Sequence, residues 1–562
     1  MQNNPTDQND GSYQVNGESY RVDYIPVPPP KSGCGGYGCL MGCGIGCLVL
    51  LIIAVVIGVL FYYYCVKGIP LKISPETTII SSPLKSDGKS VDFFSAIKEK
   101  IEPKDPAKNN GFKNVLNAYG KELITNSKQE ELSYGWIFPE LCKSIGLDPN
   151  LKPTHIYKEP DFTKIKPANK EINKQNEKEK ENDVAEIQEN KQDSSEITVF
   201  KNILSKNWSI NEYPKLKEWL EKVDSGLDVV QKAAMEEIYF VPMVRRNEKE
   251  LAVMSIPSTI RGNAKLLQGL QVRSMLRIGE GEFGKAWDDM IASIHLKLNL
   301  INKGIHIFDN RSDQTRLQII KTIAKSSSNW TPEQINKAIS DLESIPPSPK
   351  REDVLLIVQF ILLDVFSTAG DSKQFVESIS GQTLDSHPTS EQLNNLTNLM
   401  ELCGFNWNIA AKKLNEAAEI HKKTINDTDT EKILNATGKN IKQELDEFSQ
   451  RLSVQIHDQM ANIITVSGRS EIAGFVVGEF VPILEKYIFK QTLNDEIHHR
   501  LLQTTFSIER YKSEHKKYPK SLDQLKLPPP AVTAIKTDYK TTDKGYKISI
   551  CDTELEITPN TL

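Results

Sequence analysis

Arg273–Met290 reads RSMLRIGEGEFGKAWDDM, and the interpretation of these residues decides the fold. A helical apolar pattern runs from Leu266 to Ile278, three glycines interrupt it at Gly279, Gly281 and Gly284, and a second helical pattern carries Ala286 and Trp287. The glycines match G-x-G-x-x-G, which in a dinucleotide fold follows a strand and opens a helix, so that backbone N–H groups meet a pyrophosphate. Here a helix precedes them, and Glu280 and Glu282 put negative charge where phosphates would lie. The stretch therefore reads as a tight turn between two helices.

The same periodicity spreads in both directions. Lys215–Ile238, Asn263–Ile278, Phe283–Ile301 and Thr430–Ile464 follow it, long strand patterns are missing, and the body from 198 to 510 is predicted to be helical. Val354–Phe366 is too short to cross a bilayer and contains Gln359 and Asp364, so it reads as a buried helix. Upstream, Asp92–Ile124 and Tyr134–Ile145 carry Phe93, Ile97, Ile101, Val115, Leu116 and Leu123 at helical spacing. They predict a small helical unit over 74–150. Between the two, residues 158–197 form a charged segment. From Lys164 to Asp193 it holds seven basic and eight acidic residues, and no aromatic lies between Phe162 and Phe200. Such a composition buries too little apolar surface to order itself and predicts a flexible linker, the alternative being a solvated helix with Glu–Lys pairs. Downstream, Leu501–Lys516 continues a helix. Tyr518-Pro519, Leu522 and Leu525 follow, then alternation from Tyr539 to Ile557, which predicts a small α+β appendage over 511–562. The expected fold class is mainly α.

Near the N-terminus no charged residue occurs from Ser32 to Val66. Leu40–Val66 is long enough for a hydrocarbon core of about 30 Å, and Tyr62, Tyr63 and Tyr64 suit its interface. A secretory signal peptide would start with a basic region and have a shorter apolar run; here an acidic, proline-containing tail, residues 1–33, comes first and is expected to be disordered. A retained single transmembrane helix over 40–66 is the expectation. Lysines flank both ends, so the charge balance discriminates little, and an exported body is favoured over a cytoplasmic one. Gly38, Gly42 and Gly46 are spaced four apart, as are Cys39, Cys43 and Cys47, giving adjacent small-residue stripes. They fit helix–helix packing and self-association, lipidation of the thiols, or simply a lipid-facing glycine-rich entry.

The formal charge of −5, without aromatic–basic interleaving, excludes a nucleic-acid groove. Of eight cysteines, five lie in or beside the apolar segment, leaving Cys142, Cys403 and Cys551, which is no disulfide framework. Asp288, Asp289 and His295 sit on one predicted helix. A metal needs three or four convergent ligands, so a solvated face is the expectation there. His498 and His499, beside Asp495 and Glu496, read as an exposed helical start. H-E-x-x-H, G-x-S-x-G and G-x-x-x-x-G-K-[ST] do not occur, and no metal, cofactor or catalytic residue is assigned.

Three resemblances emerge from these residues. The turn RIGEGEFGKAWDDM resembles one helical hairpin of the tetratricopeptide class, although a period near 34 residues does not recur cleanly. Thr504–Leu525, TTFSIERYKSEHKKYPKSLDQL, resembles the helix-to-loop segment in the globular heads of type II secretion pseudopilins, without their Gly-Phe leader or early membrane-helix Glu. With SPETTIISSPLKSDGKSVDFFSAI after the span and RGNAKLLQGLQVRSMLRIGEGEFGKAWDDM, these pieces resemble an uncharacterised family of membrane-anchored proteins from planctomycete-type bacteria. That resemblance implies architecture and localisation, and no activity. The functions expected are a membrane-anchored helical scaffold or protein-binding module, then a structural part of a secretion or envelope assembly, then an enzyme without a recognisable motif. Membrane lipid and a protein are the expected partners.

Overall fold

A computed structural model of the chain describes residues 12–15, 18–21, 69–125, 135–157, 165, 203–204, 207–248, 255–302, 313–346, 351–368, 406–427, 441–458, 465–525, 527–528, 537–542, 545–550 and 553–557. They fall in two units, Met1–Tyr63 and Tyr64–Leu562. In the first, strands β1 (Ser12–Val15) and β2 (Glu18–Arg21) pair antiparallel, with Val15 opposite Glu18 and Ser12 opposite Arg21. This corrects the expectation of a wholly disordered tail. The residues between Val15 and Glu18 are Asn16 and Gly17, the two-residue pair best suited to the left-handed backbone of a tight hairpin turn.

The second unit is mainly helical. Its helices are α1 (Phe93–Ile101), α2 (Gly111–Tyr119), α3 (Ile137–Ser144), α4 (Pro214–Ala234), α5 (Ile256–Gly279) and α6 (Phe283–Asn302). They continue with α7 (Asp313–Ser326), α8 (Pro332–Glu343), α9 (Arg351–Thr368), α10 (Trp407–Asp427), α11 (Ile441–Asp458) and α12 (Val466–His515). Strands β3 (Thr537–Thr542), β4 (Gly545–Ile550) and β5 (Thr553–Ile557) close it as an antiparallel sheet in the order β3-β4-β5. The mainly helical class and the small C-terminal sheet agree with the sequence expectation.

Local sequence sets the helix ends. Asp92 caps α1 by accepting from the Ser95 N–H, and Asn110 caps α2 by accepting from the Phe112 N–H. Thr331 and Gln334 form a reciprocal capping box on α8, with Pro332 at the first helical position. Asn110 does more, because its side chain also accepts from the Phe240 N–H at 2.9 Å and donates to the Phe240 carbonyl at 2.9 Å. The chain after α4 is thereby held extended, with Tyr239, Phe240, Val241, Met243 and Val244 buried. For this reason α4 stops at Ala234, short of the Ile238 expected from periodicity.

One contiguous core joins these elements. Helices α5 and α6 pack on each other, α4 covers both, α2 packs on α4, and α1 packs on α9. Residues 74–150 contribute Phe93, Phe112, Leu116, Tyr119 and Leu141 to this same core. Ile165 is also buried in it; the rest of the linker read over 158–197 lies outside the described residues. Helix α12, at 50 residues and about 75 Å, touches α7, α8, α10 and α11 and then leads toward the sheet. The boundary expected at 510 falls inside it. Near its C-terminal end Phe506 lies edge-on to Trp287, with ring centroids 5.2 Å apart, and 5.0 Å from Trp330.

Phe506 is completely buried and Val454 on α11 is 60 % exposed. Phe506→Ala is expected to destabilise the chain by about 3–5 kcal/mol through lost burial and a residual cavity, and Val454→Ala to stay within about 0.5 kcal/mol. Urea midpoints of the full chain in detergent check both.

Candidate functional site

The turn Glu280–Glu282 joins α5 to α6 as the sequence predicts, and two of its glycines have distinct reasons, one conformational and one steric. Gly281 has φ +75°, a left-handed conformation unfavourable for side chains with a Cβ. At Gly279 a Cβ would lie 2.1 Å from the Trp208 carbonyl oxygen, so the helix end meets the backbone of another segment. The Ile210 N–H donates to Glu280 Oε1 at 2.9 Å, which places that carboxylate against backbone amides of the protein itself.

The neighbouring aspartates overturn the expectation of a solvated face. Asp288 is exposed and pairs with Lys337 at 2.8 Å, but Asp289 is completely buried. Its carboxylate accepts from Arg273 Nη2 at 2.6 Å, Arg273 Nε at 3.0 Å, Arg277 Nη1 at 2.7 Å and Gln231 Nε2 at 2.8 Å. The other edge of the Arg273 guanidinium reaches Asp224 and Asp228, each at 2.8 Å, whose side chains are half-exposed. The network therefore runs from the centre of α6 through α5 to the surface of α4. Burial pushes the Asp289 carboxyl above its usual range, and the guanidinia of Arg273 and then Arg277 oppose that shift. Arg273 suffers the same burial, but Asp289 and Asp224 more than offset it, so its guanidinium is held charged. Four donors on one carboxylate make a satisfied clamp, with little capacity left for proton transfer.

His295, further along α6, is a separate case. Burial lowers its pKa, opposed by Asp341, so the ring is held neutral. It does not join Asp289. Asp341 instead accepts from the Trp287 indole N–H at 2.7 Å and from Lys337 at 2.8 Å. The exposed helical start expected at His498 and His499 is also corrected. Both lie in the interior of α12, His498 and Asp495 are buried, and Asp495 takes Lys297 of α6 at 2.9 Å in a pair with both side chains about 95 % covered. An amphipathic reading misses this because α12 is covered by different helices along its length, so no single stripe is apolar throughout.

A site that sequence reasoning missed lies where the stalk after the apolar segment meets α10. The Trp407 N–H donates to the Ile69 carbonyl at 3.3 Å. Asn408 accepts from the Lys72 N–H at 2.7 Å and donates to the Pro70 carbonyl at 2.9 Å, gripping the strand-like backbone from both sides. One helical turn pair further on, Asn415 donates to the carbonyls of Glu76 at 2.7 Å and Thr77 at 3.2 Å. Asn415 is itself oriented by Gln359 of α9 at 2.7 Å, and Asn406 is held by the Ser470 hydroxyl of α12 at 2.6 Å. Residues Ile69–Thr78 are thus bound like a peptide, through backbone groups, by amide side chains. The signal was available: Asn406, Asn408 and Asn415 crowd one helical segment, where asparagine is unfavourable unless its amide has work elsewhere.

Near the C-terminus the buried Glu509 carboxyl lies 3.7 Å from Lys512 and beside the buried Tyr546. Burial raises its pKa, and Lys512 only partly opposes this. Lys512 also donates to the Tyr518 hydroxyl at 2.8 Å, and the Tyr518 ring meets that of Tyr546 at 5.1 Å.

Gly38, Gly42, Gly46 and the stripe of Cys39, Cys43 and Cys47 lie outside the described residues, as does the apolar segment Leu40–Val66, together with Cys403 and Cys551. Cys142 is a buried free thiol, with burial pushing its pKa up to about 11. Among the described residues no group of three or more His, Cys, Asp or Glu side chains is arranged to hold a metal, and no helix is long and apolar enough to cross a membrane. Comparison with protein-family models, with curated proteins and with solved structures finds no match.

Two measurements test this electrostatic picture. Asp289→Ala strands the buried Arg273 and is expected to cost about 3–5 kcal/mol, whereas Asp288→Ala removes an exposed pair worth at most about 1 kcal/mol; denaturation midpoints of the two variants should separate accordingly. For Glu509, a folded pKa above the unfolded value of about 4.3 means that its stabilisation is complete below that pH and lost as pH rises through the folded value. Glu509→Gln keeps the neutral form, so its amide exchange in β3–β5 should change less with rising pH than that of the natural chain.

Proposed function

We propose that the chain is a membrane-anchored helical scaffold whose body presents helices to a protein partner. The observation that carries this reading is the platform formed by α10 and α11 on α12. Both pack on the long helix while their outer faces meet solvent, and large aliphatic side chains stand exposed there, Ile420 at 62 % and Val454 at 60 %. Isolated exposed aliphatics are ordinary; two on helices that share one support are the feature this reading draws on, and an amphipathic helix or extended peptide is the kind of partner they suit. The uninterrupted apolar sequence Leu40–Val66 supports the anchor. The buried pairs Arg273–Asp289 and Lys297–Asp495 each join two helices, which fits a load-carrying framework.

A second reading is favoured by one specific feature. Helix α12 passes through Tyr518 and the short turn Leu522–Gln524 into a three-stranded antiparallel sheet, and Thr504–Leu525 is the segment that resembles pseudopilin heads. A structural role in a secretion or envelope assembly accounts for that resemblance.

The test is in-cell photo-crosslinking of the full chain with a photoreactive residue at position 454 and, as a control, at the exposed position 218 on α4. The scaffold reading expects a protein adduct of defined size at 454 that is missing at 218 and lost on Ile420→Arg. If 454 gives no adduct, the platform is not a binding surface. If its adduct consists of secretion components, the second reading takes precedence.

A further inference from the structure

The stalk bound on α10 carries an unusual share of apolar exposure. Of the eight large hydrophobic side chains exposed among the described residues, four lie between Ile69 and Leu84: Ile69 at 40 %, Ile73 at 37 %, Ile79 at 39 % and Leu84 at 44 %. Ile79 is held there with φ +63°, a left-handed conformation that is unfavourable for a β-branched residue and persists only where surrounding contacts enforce it. Those contacts are present. Thr77 and Thr78 are buried, Thr78 N–H and Oγ1 both donate to the Ser74 carbonyl, and Thr77 Oγ1 donates to the Lys72 carbonyl. The turn is thus fixed from within, and its aliphatic side chain faces outward.

We propose that Ile69–Thr78 is a latch that holds the helical body at the lipid surface, with Ile69, Ile73 and Ile79 resting in the membrane interface. The inference rests on the reading of Leu40–Val66 as a membrane span and goes beyond it. Chain length selects lipid as the occupant. Only Lys67 and Gly68 separate Val66 from Ile69, a reach of at most about 10 Å, and at Ile69 the backbone is already bonded to Trp407. Without the Asn408 and Asn415 contacts the next side-chain anchor to the body is the buried Lys85, which donates to Ser367, and the intervening chain could extend roughly 65 Å. The latch therefore converts a long tether into a short one and brings the exposed isoleucines within the depth of the headgroup region. Lys67 and the exposed Lys72 flank Ile69 and Ile73, a placement that favours anionic headgroups.

The experiment uses the full chain reconstituted in vesicles of phosphatidylethanolamine and phosphatidylglycerol, with a diazirine amino acid at position 73 or, as a control, at position 218. The expected result is a phospholipid adduct at 73, at least several-fold weaker at 218, and several-fold weaker at 73 in the Asn408→Ala/Asn415→Ala variant. Should that variant lose its helical circular dichroism, Asn415→Asp, which removes only the donors to Glu76 and Thr77, replaces it. Alkaline carbonate extraction in parallel separates the two readings. A chain released by carbonate has no span, and the latch falls with it. A chain that resists carbonate yet gives no lipid adduct at 73, or a protein adduct instead, keeps its anchor and overturns the latch. An adduct equally strong at 218, or undiminished in the asparagine variants, also overturns it.

Discussion

The carboxylate of Asp289 has no exposed surface, and the packing of three helices follows from keeping it paired. Removing a charge from water costs several kcal/mol unless donors replace the solvent. The donors here come from α5 and α4, so these helices have little freedom to slide or rotate relative to α6 without stranding a charge. Hydrophobic burial around Trp287, Leu270 and Met275 supplies most of the stabilisation, but apolar contacts tolerate many registers. The guanidinium fork of Arg273, whose two edges face different partners, tolerates few. The network is best understood as fixing which packing forms rather than how strongly it forms.

The same device recurs at lower density. Lys297 and Asp495 pin α6 to α12 with both groups buried, and Arg245 binds both carboxylate oxygens of Asp92 at 2.8 and 3.0 Å, joining the start of α1 to the extended segment after α4. In the second pair Asp92 is the N-cap of α1, where the backbone alone would be permissive. Arg245 also covers the ring of Phe94 at 4.4 Å, so its charge is sheltered on two sides.

How much of this was legible in the sequence depended on whether the signal was local. The α5–α6 turn, the buried α9 and the C-terminal strands follow from periodicity and glycine placement, and the structure shows them. Asp288 and Asp289 expose the limit, because adjacent residues on a helix point about 100° apart, and choosing the buried one requires knowing where α4 lies. His498 was misread for a related reason: α12 meets several helices along its length, so the local pattern does not identify one buried face. The Asn408 and Asn415 grip was legible only as an oddity, since its partners lie more than three hundred residues earlier in the chain.

Helix α12 has one more consequence. A single uninterrupted helix begins in the platform and, towards its C-terminal end, packs on β4, so one element contacts both. Melting either end would fray hydrogen bonds that continue into the other, so body and appendage share one unfolding cooperativity. A chain divided at residue 510 would bisect that helix and expose Phe506 and Ile508, both completely buried in the intact protein.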